Sequence, residues 1–294
     1  MKKLNNEKVY QILVTFIIIT ISIVCLFPLV YVFMLSLTSK SEWIDKEGVI
    51  FWVNNPTLFA YKGVFKFGGT IGKAFVISIL RTTVGTFLTL IITIISGYTM
   101  SRKNLPGRKI MIIMIMTILI FNGGLIPTYL VVKETNLLNT FWAMIVPMMM
   151  YGWGALIFKQ FFENIPAEIE ESAQMDGASE INLMMNIAVP ISAPVIAAIG
   201  LFSAVIHWNS WFDAMIYITD PRLKPLQLVL RNMFVDNNLS WATGTMNHDP
   251  SMLSVTDESQ KMAVAIVGTI PILMVYPFLQ KHFVKGVYTG SVKG

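Results

Sequence analysis

The segment from position 159 to position 188 gathers carboxylates in a chain that has few charges. It holds one basic residue, Lys159, against six acidic ones, which are Glu163, Glu168, Glu170, Glu171, Asp176 and Glu180. Ionised carboxylates accept hydrogen bonds and pair with cations. The segment is therefore the first candidate for a functional site, and pairing with a partner is the chemistry that its residues favour.

Residues that could bind a metal or attack a substrate are few and scattered. The three histidines, His207, His248 and His282, and the single cysteine, Cys25, stand in different segments, which argues against a structural zinc site. No nucleophile falls beside a base and an orienting acid. We expect no catalytic site, no metal and no cofactor in this chain.

The segment nearest to a phosphate-binding loop is 69–74, and it fails at two positions. Phe67 replaces the first glycine of the motif, and Ala74 replaces the serine or threonine that would contact magnesium. We therefore expect any ATP and Mg²⁺ to bind a separate protein.

The composition indicates a membrane protein. Only 13% of the 294 residues are charged, whereas a soluble domain carries about 25%. Hydrophobic residues make up 54%, and the mean hydropathy is +0.63. Disordered, collagen-like and disulfide-rich classes are excluded. The net charge of +5 does not point to nucleic acid, because the basic residues cluster beside apolar segments.

Six windows are apolar and long enough to cross a bilayer, for which a helix needs about 20 residues. They are Val9 to Leu37, Ala74 to Met100, Ile110 to Val132, Phe141 to Phe158, Ile187 to Ile218 and Met262 to Leu279. Pro190, Pro194, Pro271 and Pro277 predict kinks or distorted ends in the last two. We expect an all-α, polytopic membrane protein with six transmembrane helices.

The distribution of basic residues predicts which ends of these spans face the cytoplasm. Segments 1–8, 101–109 and 281–294 hold three, four and three basic residues against one acid, Glu7, as the positive-inside rule requires of cytoplasmic segments. The predicted organisation is a cytoplasmic N-terminus at 1–8, a six-helix domain at 9–283, external loops at 38–73 and 219–261, a cytoplasmic loop at 159–188 between the fourth and fifth helices, and a cytoplasmic tail at 284–294.

The cytoplasmic loop reads as a short surface helix. Pro166 suits its first position, acidic residues suit its first turn, and Gly177 suits the left-handed residue that ends it. Ile165, Ile169 and Ala173 would share one face, and Glu171 would point away from it. A connector lying at the lipid headgroups remains the alternative.

Three parts of this loop match a known motif in order and spacing. The runs Glu171-Ser172-Ala173, Asp176-Gly177-Ala178 and Ile187-Ala188-Val189-Pro190 resemble the EAA motif of permeases of binding-protein-dependent ABC importers. Ser172 and Val189 are mild departures from it. Segment 276–286 resembles the carbohydrate branch of that family, similar to the second membrane subunit of the maltose system. Segments 207–213 and 225–231 are similar to the subgroup associated with oligosaccharides and polysaccharide fragments.

The resemblance implies a type I ABC importer permease fold and a mechanism. The loop would form two short coupling helices bent at Gly177, seated in a cleft of an ATPase subunit, with Glu171 pairing with a basic residue there. The partners would be a second homologous permease, two ATPase subunits and an extracytoplasmic solute-binding protein, which loop 219–261 would approach. The location would be the cytoplasmic membrane of a bacterium.

Polar residues inside the spans are candidates for a substrate pathway, because hydrocarbon penalises them. Sugars present flat C–H faces and hydroxyls, so aromatic, amide and acid groups would suit them. The candidates are His207, Trp208, Asn209, Trp211 and Asp213. The alternative readings are a hydrogen bond from His207 to a neighbouring helix, an interfacial Asp213, and an Arg81 that reaches outward to the interface.

Three other functions remain open. The chain could be an importer permease for a non-sugar solute, an ion-coupled secondary transporter, or a membrane scaffold. A secondary transporter would predict paired acids deep in broken helices and an internal repeat, and neither is evident.

Overall fold

The computed structural model describes residues 2–64, 69–121, 123–235 and 256–290, and these residues form helices and connecting turns without a strand. In chain order the α-helices are α1 (Lys2–Ser36), α2 (Lys40–Asp45), α3 (Phe59–Val64), α4 (Thr70–Ser101), α5 (Arg108–Ile120), α6 (Leu125–Glu134), α7 (Gly152–Glu163), α8 (Ala167–Met175), α9 (Glu180–Leu183), α10 (Val189–Ile191), α11 (Ala193–Asn209), α12 (Phe212–Tyr217), α13 (Leu226–Val235) and α14 (Asp257–Gly290). Tight 3₁₀ turns occupy Phe141–Met144, Val146–Met148 and Pro221–Leu223, and a π-helical turn occupies Met184–Ala188. His248, much of the predicted external loop 219–261 and the end of the tail lie outside the described residues.

Three helical stretches are each long and apolar enough to span a membrane. Three bent helix pairs are also long and apolar enough when each pair is taken as one span. The single helices are Glu7–Ser36, Thr70–Ser101 and Asp257–Val275. The pairs are α5 with α6, Phe141–Met148 with α7, and Glu180–Ile191 with α11. Counting each pair as one span gives six, which agrees with the prediction.

The third, fourth and fifth predicted spans are not single helices. The fourth bends by 46° between Phe141–Met148 and α7. α5 ends at Ile120, and α6 begins only after Gly124, whose φ of +86° suits glycine. The fifth span bends by 81° at Ser192. Pro190 and Pro194 flank that bend, as expected of residues that remove a helical hydrogen bond. By contrast, α14 continues across Pro271 and Pro277.

The chain divides into two compact units. One contains Met1–Gly72 and Asn232–Ile270, and the other contains Lys73–Arg231 and Pro271–Gly294. In the first unit, the apolar window of α1 has no buried residue, whereas Leu35, Ile50 and Val53 form a small core with Met262.

The second unit holds the candidate loop and packs around α4. Gly97 lets α4 approach α7 closely, because a Cβ at this position would lie 2.5 Å from the Cβ of Phe158. A buried cluster that includes Phe158 lies beside this contact, and its members are Tyr98, Phe158, Phe162, Ala188 and Ile199. This cluster connects α4, α7 and α11 with the end of the candidate loop.

Candidate functional site

The predicted surface helix exists as α8 and ends as expected. Gly177 has φ +82°, its N–H donates to the carbonyl of Gln174 at 3.0 Å, and the N–H of Ala178 donates to the carbonyl of Ala173 at 3.0 Å. This is the Schellman arrangement of a helix C-terminus. One detail differs: Pro166 precedes the first helical residue rather than occupying it.

A second short helix follows the bend at once. The side chain of Ser179 accepts from the N–H of Asn182 at 3.3 Å and caps α9, which continues through the π-helical turn to α10. We call α8 and α9, joined at Gly177, the two-arm element. Its last residue, Leu183, is buried. Farther along the chain Ala188 is also buried, whereas Pro190 is exposed.

The two-arm element exposes acidic and apolar side chains. Glu171 is exposed, as are Met175 (88%) and Ile181 (69%) on either side of the bend. Ile165 is half-buried and packs on the cluster around Phe158, whereas Ile169 is 41% exposed. The exposure of Met175 and Ile181 was not predicted from the sequence. Their closeness to Gly177, where the helix was predicted to end, is the signal that could have identified them.

Arg102 contacts both helices of the two-arm element. Its guanidinium forms an ion pair with Glu170 of α8, and its Nε lies 3.1 Å from Oε2 of Glu180 in α9. It also donates to the Tyr98 hydroxyl, and its Cζ lies 4.2 Å from the centre of the Tyr98 ring. Burial alone would lower the pKa of Arg102, but the hydrogen bonds with Tyr98 and Glu170 outweigh it and raise that pKa.

A second set of ion pairs lies where α7 ends. Arg108 pairs with Glu163, which Lys159 also contacts at 2.8 Å, and Arg108 Nε donates to the carbonyl of Met100 at 2.7 Å. Three of the six acids in segment 159–188 thus pair with basic residues of this chain. In the part of the chain that the structure describes, no ion pair is found for Glu168, Glu171 or Asp176.

A cavity of about 760 Å³ lies between α8 and the loop that follows α4. Arg102, Lys103 and Pro106 line one side, and Glu170, Glu171 and Gln174 are among the residues lining the other. Its wall is mixed in charge. Within the described ranges, no three His, Cys, Asp or Glu side chains come together as metal ligands.

Arg81 does not reach outward to the interface, and the alternative reading of this residue is wrong. Its side chain is fully buried, forms an ion pair with Asp213, and donates to the carbonyls of Ser210 at 3.0 Å and Met144 at 3.3 Å. These partners pair the charge inside the protein, although Arg81 Nε has no hydrogen-bond partner in the described residues.

The candidate pathway residues are distributed over several environments. His207 is buried, with Nε2 3.4 Å from the Thr89 hydroxyl of α4, which agrees with the alternative reading of a contact to a neighbouring helix. Trp208 is buried, Trp211 is half-buried with Arg231 5.3 Å from its ring centre, and Asn209 is exposed. A pathway through these residues stays a prediction.

Comparisons with known proteins identify the family. Residues 105–288 match the model of the binding-protein-dependent transport system inner membrane component. The chain is 35% identical over 292 residues to the polygalacturonan/rhamnogalacturonan transport system permease protein YtcP of Bacillus subtilis (strain 168), covering 98% of this chain and all of the relative. It is 41% identical over 272 residues to protein LplC of the same organism, covering 92% and 90%.

A solved structure shares the fold. A chain of a bacterial ABC transporter involved in the import of the acidic polysaccharide alginate superimposes with a TM-score of 0.84 at 24% identity, covering 95% of this chain and 98% of that one. The family model spans more than half of this chain, including the whole two-arm element. The chain therefore belongs to the family of binding-protein-dependent transport system inner membrane components.

Proposed function

We propose that this chain is a membrane-spanning permease subunit of an ATP-driven importer that translocates an oligosaccharide delivered by an extracytoplasmic binding protein. The observation that carries the proposal is the two-arm element. Its motif residues fold as two short helices bent at Gly177, with Glu171, Met175 and Ile181 exposed. Two exposed apolar side chains on such a short element are suited to contact with a protein partner.

The proposed cargo is an oligosaccharide that contains uronic acids. The relative YtcP is described as a polygalacturonan/rhamnogalacturonan permease, and the structure of similar fold belongs to an importer of acidic alginate. A neutral oligosaccharide is the first alternative, and a non-sugar solute is the second.

The proposed assembly contains a second homologous permease, two ATPase subunits and the binding protein. ATP and Mg²⁺ would bind the ATPase subunits, because Phe67 and Ala74 spoil the nearest phosphate-binding motif in this chain. Both termini would lie in the cytoplasm of a bacterial cell, and loop 219–261 would face the binding protein.

Packing would dominate the contact between the two-arm element and the ATPase. Ion pairs that remain exposed contribute little, whereas buried apolar side chains contribute more. We therefore assign Met175 and Ile181 the larger share of the contact and Glu171 a pairing role. The motif residues Ser172, Ala173, Asp176, Ala178, Ile187 and Pro190 would shape the element and its connection to α11.

The proposed substrate pathway is lined by residues near the outer end of α11. Asn209 is exposed, and His207, Trp208, Trp211 and Asp213 surround it in sequence. Since Asp213 pairs with Arg81 and His207 contacts Thr89, we expect these two to position the wall, and Asn209 and Trp211 to meet sugar.

Uptake of labelled oligosaccharide tests this proposal. Cells that express the full assembly are given labelled oligogalacturonides or maltooligosaccharides, with or without the ATPase subunit. We expect oligogalacturonide uptake that disappears without the ATPase. Uptake that persists without the ATPase would indicate ion-coupled transport, and no uptake of either sugar would contradict the carbohydrate assignment.

A further inference from the structure

Arg102 stands at a junction of three elements. It directly follows Ser101, the last residue of α4, and its guanidinium contacts α8 through Glu170 and α9 through Glu180. Glu170 and Glu180 lie on opposite sides of Gly177. One side chain therefore connects both arms of the two-arm element to the end of α4.

The contact of Arg102 with Glu170 is more shielded than its contact with Glu180. The side chains of Arg102 and Glu170 are 21% and 22% exposed, so water screens that pair only partly. The Glu180 side chain is 62% exposed, and Arg102 Nε contacts it as an ion pair without a hydrogen bond. The Tyr98 hydroxyl lies 3.1 Å from the backbone carbonyl of Glu180 and 3.0 Å from its carboxylate, which fixes the start of α9 against α4. The Tyr98 ring also packs against the guanidinium.

We propose that Arg102 is a positioning residue that locks both arms of the two-arm element to α4, so that displacement of the element by the ATPase moves the second span together with the fifth. This inference rests on the proposed function. Without the lock, the two-arm element stays joined covalently to α7 on one side and through α10 to α11 on the other. Its motion would then reach α4 only through the packing of α4 on α7, so α4 would follow less closely.

The chemistry requires arginine at this position. A planar guanidinium can contact two carboxylates from different helices while its face lies on an aromatic ring. A lysine would supply one compact charge and would contact one carboxylate at a time. Lys103 provides a matched control, because it has the same charge, follows Arg102 directly and is exposed.

The test measures coupling in the assembled transporter in proteoliposomes, with the binding protein and its oligosaccharide. The measured quantity is oligosaccharide imported per ATP hydrolysed. Arg102→Gln should lower this ratio by about fivefold or more, the lower end of usual coupling between sites, while ATP hydrolysis continues. Arg102→Lys should fall between Arg102→Gln and the parent, and Lys103→Gln should match the parent.

A second variant guards against misfolding of the first. Glu170→Gln combined with Glu180→Gln keeps the size of both side chains and removes both charges, so it should reproduce the loss of coupling if Arg102→Gln does not assemble. A parent-like ratio in both variants would overturn the inference about Arg102. Absence of import by the parent itself would instead overturn the proposed function, so the two failures are distinguishable.

Discussion

Arg81 and Asp213, 132 positions apart in the sequence, form an ion pair in which the arginine side chain is fully buried. Asp213 also accepts from the Ser210 hydroxyl and the N–H of Ala214, each at 2.8 Å. The pair thus fixes the break between α11 and α12 against the middle of α4. A buried charge that loses its partner remains uncompensated. Replacing one member of the pair should therefore cost more stability than replacing both with apolar residues.

Arg81→Met should destabilise the protein by about 3–5 kcal/mol, because it leaves Asp213 without its cation in the protein interior. Adding Asp213→Leu to Arg81→Met should recover part of the loss, since an apolar pair carries no desolvation cost. Thermal unfolding in detergent measures both. Lys73→Met, at an exposed position of the same helix, is the control, and a loss of similar size in the control would contradict the role of the pair.

Gly97→Ala should destabilise the contact between α4 and α7. The new Cβ would lie 2.5 Å from the Phe158 Cβ and 3.0 Å from the carbonyl oxygen of Ala155, so the two helices must separate. Overpacking of this kind costs about 1–3 kcal/mol. Gly123→Ala is the matched control, since nothing lies within 4 Å of its added Cβ. Equal melting temperatures for the two variants would exclude a close approach at Gly97.

Gly177→Val should reduce oligosaccharide uptake more than Glu171→Gln. Nothing lies within 4 Å of a Cβ added at Gly177, so the effect would come from the left-handed backbone alone, at about 1–2 kcal/mol. Gly177→Asn should be milder than Gly177→Val, because asparagine tolerates this conformation better than a β-branched residue. Oligosaccharide uptake is measured for all three variants. If Gly177→Asn reduced uptake as much as Gly177→Val, backbone strain would be excluded as the cause.

Glu42 should make the first unit sensitive to acid. Burial alone would raise the pKa of Glu42, but hydrogen bonds from Lys46 and from the N–H groups of Asn54 and Asn55 outweigh it and lower that pKa. A lowered pKa stabilises the fold above the ordinary value of 4.5, and this contribution is lost as the pH falls through the lowered value.

Glu42→Gln should therefore melt earlier than the parent at neutral pH, and the difference should shrink below about pH 4, where the unfolded carboxyl is protonated. Melting temperatures measured from pH 7 to pH 3 give the comparison. Asp45→Asn, at an exposed position in the same helix, should show a smaller difference at neutral pH. If the difference in melting temperature between the parent and Glu42→Gln widened on acidification, the pKa of Glu42 would not be lowered in the folded protein.

Local patterns predicted the spans and the shape of the two-arm element. Long apolar windows located the six spans, and the position of Gly177 predicted both the end of α8 and the left-handed conformation of that glycine. These features depend on residues close in sequence, for which helix periodicity and capping rules are sufficient. Pro190 and Pro194 likewise predicted the bend near Ser192.

Contacts between distant segments could not be predicted in this way. The charges of segments 101–109 and 159–188 were interpreted separately, one as a topology signal and the other as a partner site, yet Arg102 and Arg108 pair with acids of the second segment. The burial of Arg81 depends on Asp213, which no local rule places beside it. Both segments were predicted to lie on the cytoplasmic side, but this shared location does not specify which basic residue pairs with which acid.

Capture of the ATPase by the two-arm element tests the central claim most directly. A photo-crosslinking residue is introduced at Met175 in the assembled transporter. The control is placed at Glu134, just after the third predicted span, on the side opposite to 159–188 in the predicted topology. We predict a crosslink to the ATPase subunit from position 175 and none from position 134. Failure to capture the ATPase from position 175, and likewise from positions 171 and 181, in a transporter that still imports oligosaccharide would contradict the account.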